Sequence, residues 1–333
     1  MDRPFTTIDP MPAADTGPLT VGLLGLGVIG QVHLRTLAAR ADATIVFTAD
    51  PSPTARETAG GLACDGLDAV LADLRSGRVE EPDLFVLATP TSTHLDLVER
   101  LLDHTGADVL SEKPLTEDPV AIDALGARGD AAARVRVVNH FAFSPEVGWG
   151  VGLVAARGWG EPAFVVSTFN DPYVSMAPTR RASYVSTWVD SGPNQLGLLA
   201  RFVTGCEVRA HIAAPDGSRS VTEVGFATGA GVLSANWHTG DSSKQTSLRW
   251  DDGREVLLDH TAMTGLALDG GTPVEHFGHD GTVDRKTAHY RAMYDTYLRD
   301  RDHPLLSLAH ARSTAALLRQ AAAAPGVASL AWR

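Results

Sequence analysis

Cysteine is nearly missing from this chain: 333 residues contain two, Cys64 and Cys206, far apart and without metal-ligand spacing. That excludes a disulfide framework and a thiolate metal centre, and it fits a reduced cytoplasm in which both are small core residues. Positive charge is also scarce. Lys and Arg number 28 against 40 Asp and Glu, a formal net charge of -12, and an acidic body attracts neither nucleic acid nor an anionic membrane surface. No apolar run approaches the roughly 18 residues of a membrane span. Residues 1–19 hold Pro4, Pro10, Pro12, Pro18 and three aspartates with no apolar stretch, which predicts a disordered leader and not a signal peptide.

What is present is the composition of a globular protein, 44% hydrophobic and 20% charged, in a chain long enough for two cores. Short apolar runs alternate with helical patterns through the first half. Strands are predicted over 20–24, 43–48, 84–88, 107–111 and 134–139, and helices over 33–40, 53–59, 93–103 and 118–130. That is the pattern of a parallel sheet covered on both faces. The period then changes. Strands over 163–169, 221–227, 231–237, 246–250 and 255–258 follow with few helices between them, and Asp252-Gly253 signals a hairpin. Helices are predicted near 193–204, 284–301 and 307–324. The fold class is therefore α/β: a parallel-sheet domain over 20–142 of the Rossmann dinucleotide-binding kind, then an α+β domain over 143–333 with a mainly antiparallel open sheet.

Gly25-Leu26-Gly27-Val28-Ile29-Gly30 follows the first strand and opens a helix. Gly25 allows the tight turn, Gly27 lets the backbone approach a pyrophosphate, and Gly30 lets helix and strand pack closely. The helix N-terminus then faces the phosphates with unpaired N–H groups. Asp50, twenty residues past Gly30 and at the end of the second strand, can accept from a ribose 2′-OH and would repel a 2′-phosphate. NAD is thereby favoured over NADP. The alternative for Asp50 is a turn starter in Asp50-Pro51-Ser52-Pro53.

Glu112-Lys113-Pro114 falls at the end of another sheet strand, where a lysine can reach the crevice in which a nicotinamide would lie. With Gly25 to Gly30, His33, Ala88-Thr89-Pro90 and His94, these residues occur in the order and spacing of the glucose-fructose oxidoreductase / inositol dehydrogenase (Gfo/Idh/MocA) family, which the chain resembles over almost its whole length after residue 19. The resemblance implies hydride transfer on sugars, cyclitols or related polyols. It implies that Thr89 and Pro90 lie against the nicotinamide half of the cofactor, that Glu112 and His94 belong to the cofactor site, and that Lys113 points at the reacting carbon–oxygen group. It also implies a Lys113–Pro114 peptide that is commonly cis. A lysine there can hydrogen-bond the reacting oxygen, the more so if partial burial lowers its pKa.

Asp190-Ser191-Gly192-Pro193-Asn194 supplies the other catalytic candidates. Pro193 suits the first helical position, Leu196, Leu199, Ala200 and Val203 form an apolar stripe, and Gly205 is a C-cap candidate. Asp190 then sits ahead of a helix N-terminus, and the alternative is a plain capping segment. Most members of the family carry Asp-x-Gly-x-His-x-x-Asp here. This chain keeps Asp190 and Gly192 but has Asn194 for the histidine and Gly197 for the second aspartate. That departure resembles the branch containing L-arabinose and D-galactose 1-dehydrogenases. It implies Lys113, Asp190 and Asn194 acting on an anomeric hydroxyl, which is more acidic than a ring alcohol.

Asn139, His140, Tyr173 and His289 are candidate substrate contacts, and Tyr184, Trp188 and Trp237-His238 candidate sugar-stacking walls; each has an ordinary packing alternative. His276 and His279 have no partner that completes a metal site, so no metal is expected. The reading is a cytoplasmic, homodimeric or homotetrameric NAD(P)-dependent sugar dehydrogenase, best taken as oxidising an aldose at C1. The alternatives are a ketosugar reductase or 3-dehydrogenase on a modified or nucleotide-linked sugar, a catalytically silent nucleotide-binding regulator, and an NAD-dependent glycosidase.

Overall fold

The structure, a computed structural model, describes residues 17–324 apart from 60, 179, 180, 182 and 183. The leader expected over residues 1–19 lies outside the described residues as far as 16. The first sheet has six strands, β1 (Leu19–Leu24), β2 (Ala43–Ala49), β3 (Ala63–Cys64), β4 (Leu84–Leu87), β5 (Asp108–Ser111) and β6 (Val135–Val137), in the order β3-β2-β1-β4-β5-β6. All of its pairs are parallel. Helices α1 (Val28–Ala38), α2 (Pro53–Ala59), α3 (Leu67–Ser76), α4 (Thr91–His104), α5 (Pro119–Gly126) and α6 (Ala131–Arg134) connect them. A sheet covered on both faces wants apolar side chains at every position, and Leu84, Phe85, Val86 and Leu87 are each 0% exposed. The strand order reverses between β1 and β4, and the crevice outside their carboxyl ends is where an open α/β sheet takes its ligand.

The second sheet has eight strands: β7 (Phe164–Asn170), β8 (Glu207–Ala213), β9 (Arg219–Phe226), β10 (Gly229–Asn236), β11 (Ser243–Arg249), β12 (Glu255–Asp259), β13 (Thr264–Asp269) and β14 (Thr272–Gly278), ordered β14-β13-β12-β11-β7-β10-β9-β8. Its pairs are antiparallel apart from β7 with β10. Val165, Leu248, Val256, Leu258 and Ala267 form one core with residues of α7 (Pro145–Arg157), α8 (Thr187–Leu199) and α10 (Leu308–Ala323). Alternate residues Val166, Thr168, Ser247, Leu257 and Leu266 line a cavity of about 290 Å³ on the uncovered face.

Helix α9 (Arg285–Arg299) returns to the first sheet: Tyr290, Met293, Tyr294 and Tyr297 share a core with Val21, Leu23 and Val32. The boundary placed at 142 thus separates the two sheets but not every helix that covers them. Among the described residues no helix is long and apolar enough to cross a membrane.

Helix α8 corrects one expectation. It starts at Thr187, capped by Ser186, whose Oγ accepts from the Val189 N–H at 3.2 Å, and Pro193 lies inside it, not at its first position. Ser186 wins because its hydroxyl fills the capping role before the apolar residues Trp188 and Val189. The C-cap is Ala200, although Gly205 does take a positive φ of 67°. Strands β8, β13 and β14 fall outside the sequence reading; in the last two, Pro273, Glu275 and the adjacent Gly270-Gly271 obscure any alternation.

Phe85, packed on Phe47 with ring centroids 5.9 Å apart, is a sensitive test of this core. Phe85→Ala is expected to lower unfolding free energy by about 3–5 kcal/mol. Phe164, 37% exposed, should lose less than about 1 kcal/mol on the same truncation. Urea denaturation of the two variants checks this.

Candidate active site

The strand ends converge on one crevice. Gly25 has φ +93°, and a Cβ on it would stand 2.4 Å from the Ala88 carbonyl oxygen; one on Gly30 would stand 1.9 Å from that of Gly25. Loop, α1 and the end of β4 can come this close only with glycine at both positions. Gly27 is the N-cap of α1, and a Cβ there would meet nothing within 4 Å. Its surroundings are the open space a pyrophosphate would fill, so the residues fit a dinucleotide. Gly25, Gly27, Val28, Ile29 and Gly30 would line it, with Val28 45% exposed on the loop. Asp50 takes the turn position expected of it, Oδ1 accepting from the Ser52 N–H at 2.8 Å, and its Oδ2 accepts from the Leu26 N–H at 2.7 Å. Its carboxylate therefore braces the glycine loop, with a lone pair left on each oxygen for a ribose hydroxyl.

Beneath the crevice, buried polar groups fix the loops. His94 is 1% exposed, with Nδ1 2.9 Å from the Pro114 carbonyl oxygen and Nε2 2.8 Å from that of Thr89. It links the Thr89-Pro90 turn to the Lys113–Pro114 peptide, which is cis. Glu112 is 5% exposed. Its Oε1 accepts from Tyr290 OH at 2.5 Å and from His33 Nε2 at 3.0 Å, and its Oε2 from the Lys113 N–H at 3.2 Å. Tyr294 OH donates to His33 Nδ1 at 2.6 Å. Burial alone would raise the Glu112 carboxyl, but the His33 and Tyr290 hydrogen bonds and the Lys113 charge hold it below the ordinary carboxylate range. Glu112 and His94 thus act from below as positioning residues.

Above them, Lys113 Nζ donates to Asp190 Oδ1 at 2.9 Å and to the Asp190 carbonyl at 2.8 Å. Lys113 and Asn194 both bond the Asp190 carbonyl, Asn194 through Nδ2 at 3.3 Å. Burial opposes the Lys113 ammonium, yet Asp190 and Glu112 outweigh it and raise its pKa above the ordinary lysine value. The expectation of a depressed lysine is thereby corrected: the paired carboxylate beats desolvation. Asn194 is 7% exposed, and its Oδ1 is buried without a hydrogen-bond partner. An unpartnered buried acceptor beside a lysine–aspartate pair is a place for a ligand hydroxyl.

The other candidates divide. His140 stacks on Tyr290 with centroids 4.6 Å apart, and its Nδ1 has no partner. Burial, His289 and Lys113 push its imidazole well below the usual range, so it is neutral near pH 7. Tyr173 lies 4.6 Å from Tyr184 and 5.6 Å from Trp237, ring to ring, in the field of Asp190 and Asp171. His289 is corrected: it is 0% exposed, 5.0 Å behind the Phe141 ring and 3.5 Å from Glu146, with its pKa pushed by burial to about 3. The helical period puts Arg285 and Lys286 on the same face one turn earlier, where burial lessens: both are half-buried, with Arg285 over the Phe141 ring. Asn139 is also turned away; its Nδ2 donates to His310 Nε2 at 3.0 Å. A Cβ on Gly197 would lie 2.0 Å from Asn139 Oδ1, so Asn139 fills the space that an aspartate at 197 would need. Trp188 is core, 6% exposed, with Nε1 donating to Leu318 O at 3.4 Å. Among the described residues no group of three His, Cys, Asp or Glu is arranged to hold a metal ion.

Sequence reasoning missed a second buried pair. Lys244 Nζ donates to Asp171 Oδ2, both side chains being 7% exposed, and Ser242 Oγ donates to Asp171 Oδ1 at 2.8 Å. Lys244 sits 5.4 Å from the centre of the Phe169 ring. No local pattern marks it, because Asp171 and Lys244 meet only when β7 and β11 pair.

Replacing Glu112 by Gln is expected to cost about 1–3 kcal/mol at neutral pH, through a weakened buried network. A carboxyl with a lowered folded pKa stabilises above its unfolded value of 4.5, and that share is lost as pH falls through the folded value. Melting temperatures of wild type and Glu112→Gln should therefore converge below pH 4.5.

Residues 19–140 match the family model described as an oxidoreductase family with an NAD-binding Rossmann fold. The chain is 34% identical over 155 residues to an inositol 2-dehydrogenase of Rhizobium meliloti (strain 1021), a match covering 45% of each protein. It thus spans about half the length of that curated relative. Over 93% of its length it superposes on 98% of a UDP-N-acetylglucosamine 3-dehydrogenase from Acidithiobacillus ferrooxidans, with TM-score 0.72 and 19% identity. A 3-ketoreductase from Actinomadura kijaniata, solved with TDP-benzene and NADP, superposes with TM-score 0.73 and 16% identity, again over 93% of this chain and 98% of that one. The two structures share the fold, and the sequence matches assign residues 19–140 to the NAD-binding Rossmann domain of the Gfo/Idh/MocA oxidoreductase family.

Proposed function

We propose that the protein is an NAD(P)-dependent oxidoreductase that moves a hydride between the nicotinamide and a sugar or polyol, and that its specific reaction is oxidation of an aldose at C1. The observation that carries this reading is the Lys113–Asp190 pair at 2.9 Å with the unpartnered Asn194 Oδ1 beside it. The bound nicotinamide would supply the hydride acceptor. The chain's own residues handle the oxygen. Lys113, kept as an ammonium by Asp190, donates to the oxygen and stabilises the charge that develops there; the Asp190 carboxylate takes the hydroxyl proton; Asn194 orients the sugar by accepting through Oδ1 from a neighbouring hydroxyl. Asn194 cannot itself exchange a proton, so the weak base that remains suits the more acidic anomeric hydroxyl. The inositol 2-dehydrogenase relative supports a polyol or sugar substrate.

A second reading is a 3-dehydrogenase or ketosugar reductase on a nucleotide-linked sugar, favoured by the activities of the two structural neighbours. The intact Lys113–Asp190 pair argues against a silent regulator, and Asn194 against a glycosidase that needs more acid–base capacity. Asp50 favours NAD over NADP. The assembly is proposed to be a homodimer or homotetramer built on the uncovered sheet face.

Absorbance of reduced nicotinamide, with NAD or NADP and a panel of aldoses, inositols and sugar nucleotides, tests the reading. Lys113→Ala and Asp190→Ala are expected to lose at least about 10²-fold in turnover, and Asn194→Ala distinctly less. Undiminished turnover in Lys113→Ala would overturn the assignment. Asp50→Ala should narrow the preference for NAD over NADP by roughly tenfold, about 1.4 kcal/mol, as read from kcat/KM with each cofactor.

A further inference from the structure

Around Lys113 the cleft carries four cations, Lys113, Lys244, Arg285 and Lys286, and two of them have a carboxylate in ion-pair contact. Asp190 is engaged by Lys113, and Asp171 by Lys244 and Ser242. Arg285 and Lys286, in the first turn of α9, are half-buried, and among the described residues neither has a carboxylate within ion-pair distance. Asp284, beside them in sequence, is spent as the helix cap: its Oδ1 accepts from Thr287 N–H at 3.2 Å and its Oδ2 from Thr287 Oγ1 at 2.5 Å. The Arg285 guanidinium lies 5.8 Å from the centre of the Phe141 ring, Phe141 packs on Phe169 at 4.9 Å, and Lys244 sits over Phe169. Two aromatic rings thus form a floor with a cation over each. The positive end of α9 adds to the same corner.

Such a corner is costly to keep empty. Two adjacent, partly desolvated cations repel, and neither touches a counter-charge. Burial and the neighbouring Arg285 accordingly lower the Lys286 ammonium, and burial lowers that of Lys244, even with Asp171 beside it. In a protein of formal net charge -12, two half-buried cations that no carboxylate contacts point to an anionic occupant.

We propose that the substrate is a sugar or polyol carrying an anionic group, a carboxylate or a phosphate, and that Arg285 and Lys286 bind that group while Lys113 and Asp190 hold the reacting carbon–oxygen group. This rests on the hydride-transfer reading for the second half of the statement, whereas anion binding stands on the cation pair alone. A neutral aldose would leave Arg285 and Lys286 facing only water. An anionic one neutralises them and is oriented end to end across the cleft. Arg285 offers a bidentate fork suited to either oxyanion, and Lys286 a point charge.

The test uses the full chain saturated with cofactor and two readouts. Calorimetry compares D-glucuronate and glucose 6-phosphate with neutral D-glucose as probes, and absorbance follows reduced nicotinamide with the same three. Binding of either anionic probe at least tenfold tighter than D-glucose, reduced at least tenfold in Arg285→Gln and Lys286→Gln, supports the proposal; which probe binds separates carboxylate from phosphate. Equal binding of all three, binding of none, or an anionic preference that survives both substitutions overturns it. Failure of the hydride-transfer reading shows separately, as anion binding without cofactor reduction.

Discussion

A single buried carboxylate holds the site in register. Glu112 takes hydrogen bonds from His33 on the helix behind the glycine loop, from Tyr290 on the helix that returns from the second half, and from the amide of Lys113. Three segments far apart in sequence meet on its two oxygens. A buried charge is tolerated only when fully hydrogen-bonded, and that requirement makes the arrangement specific. Because Glu112 immediately precedes Lys113, the same bonds that stabilise the core also aim the lysine.

The cleft is built from opposed charges in a partly dry setting. Lys113 with Asp190 and Lys244 with Asp171 are each nearly enclosed, and one partner left alone would be strongly destabilised. Three histidines around them are neutral near pH 7: burial drives His140 and His289 far below their usual range, and His310 to about 4. None of these three imidazoles is charged near neutral pH. That agrees with asparagine, which exchanges no proton, at position 194. Gly197 is explained by Asn139, whose side chain fills the volume an aspartate would take.

The first sheet is legible because its information is local. Leu19–Leu24 is an apolar run ending in glycines, and the pattern of turn, close approach and helix start is written within six residues, Gly25 to Gly30. Glu112-Lys113-Pro114 is equally readable, as a motif at a strand end. The start of α8 is not. Pro193 has the fixed φ of a first helical residue, but the Ser186 hydroxyl upstream of it satisfies an N–H at the true start, and the helix runs on through the proline. Lys244 and Asp171 are 73 residues apart in sequence and pair only across neighbouring strands. His289 differs from its expected place by the phase of one helix. The start of α9 does lie near the cleft, but its buried face is set by the packing of Tyr290, Met293 and Tyr294 against the first sheet.

The central claim is that Lys113 and Asp190 act on an oxygen whose carbon gives its hydride to the cofactor. Its most direct test is transfer of label in a single turnover, using an aldose deuterated at C1 and oxidised cofactor, with mass spectrometry of the nicotinamide. The account predicts deuterium in the reduced nicotinamide with the wild type, and none with a Lys113→Met variant that still binds cofactor. Label transferred equally by that variant, or reduced cofactor free of label, would contradict it.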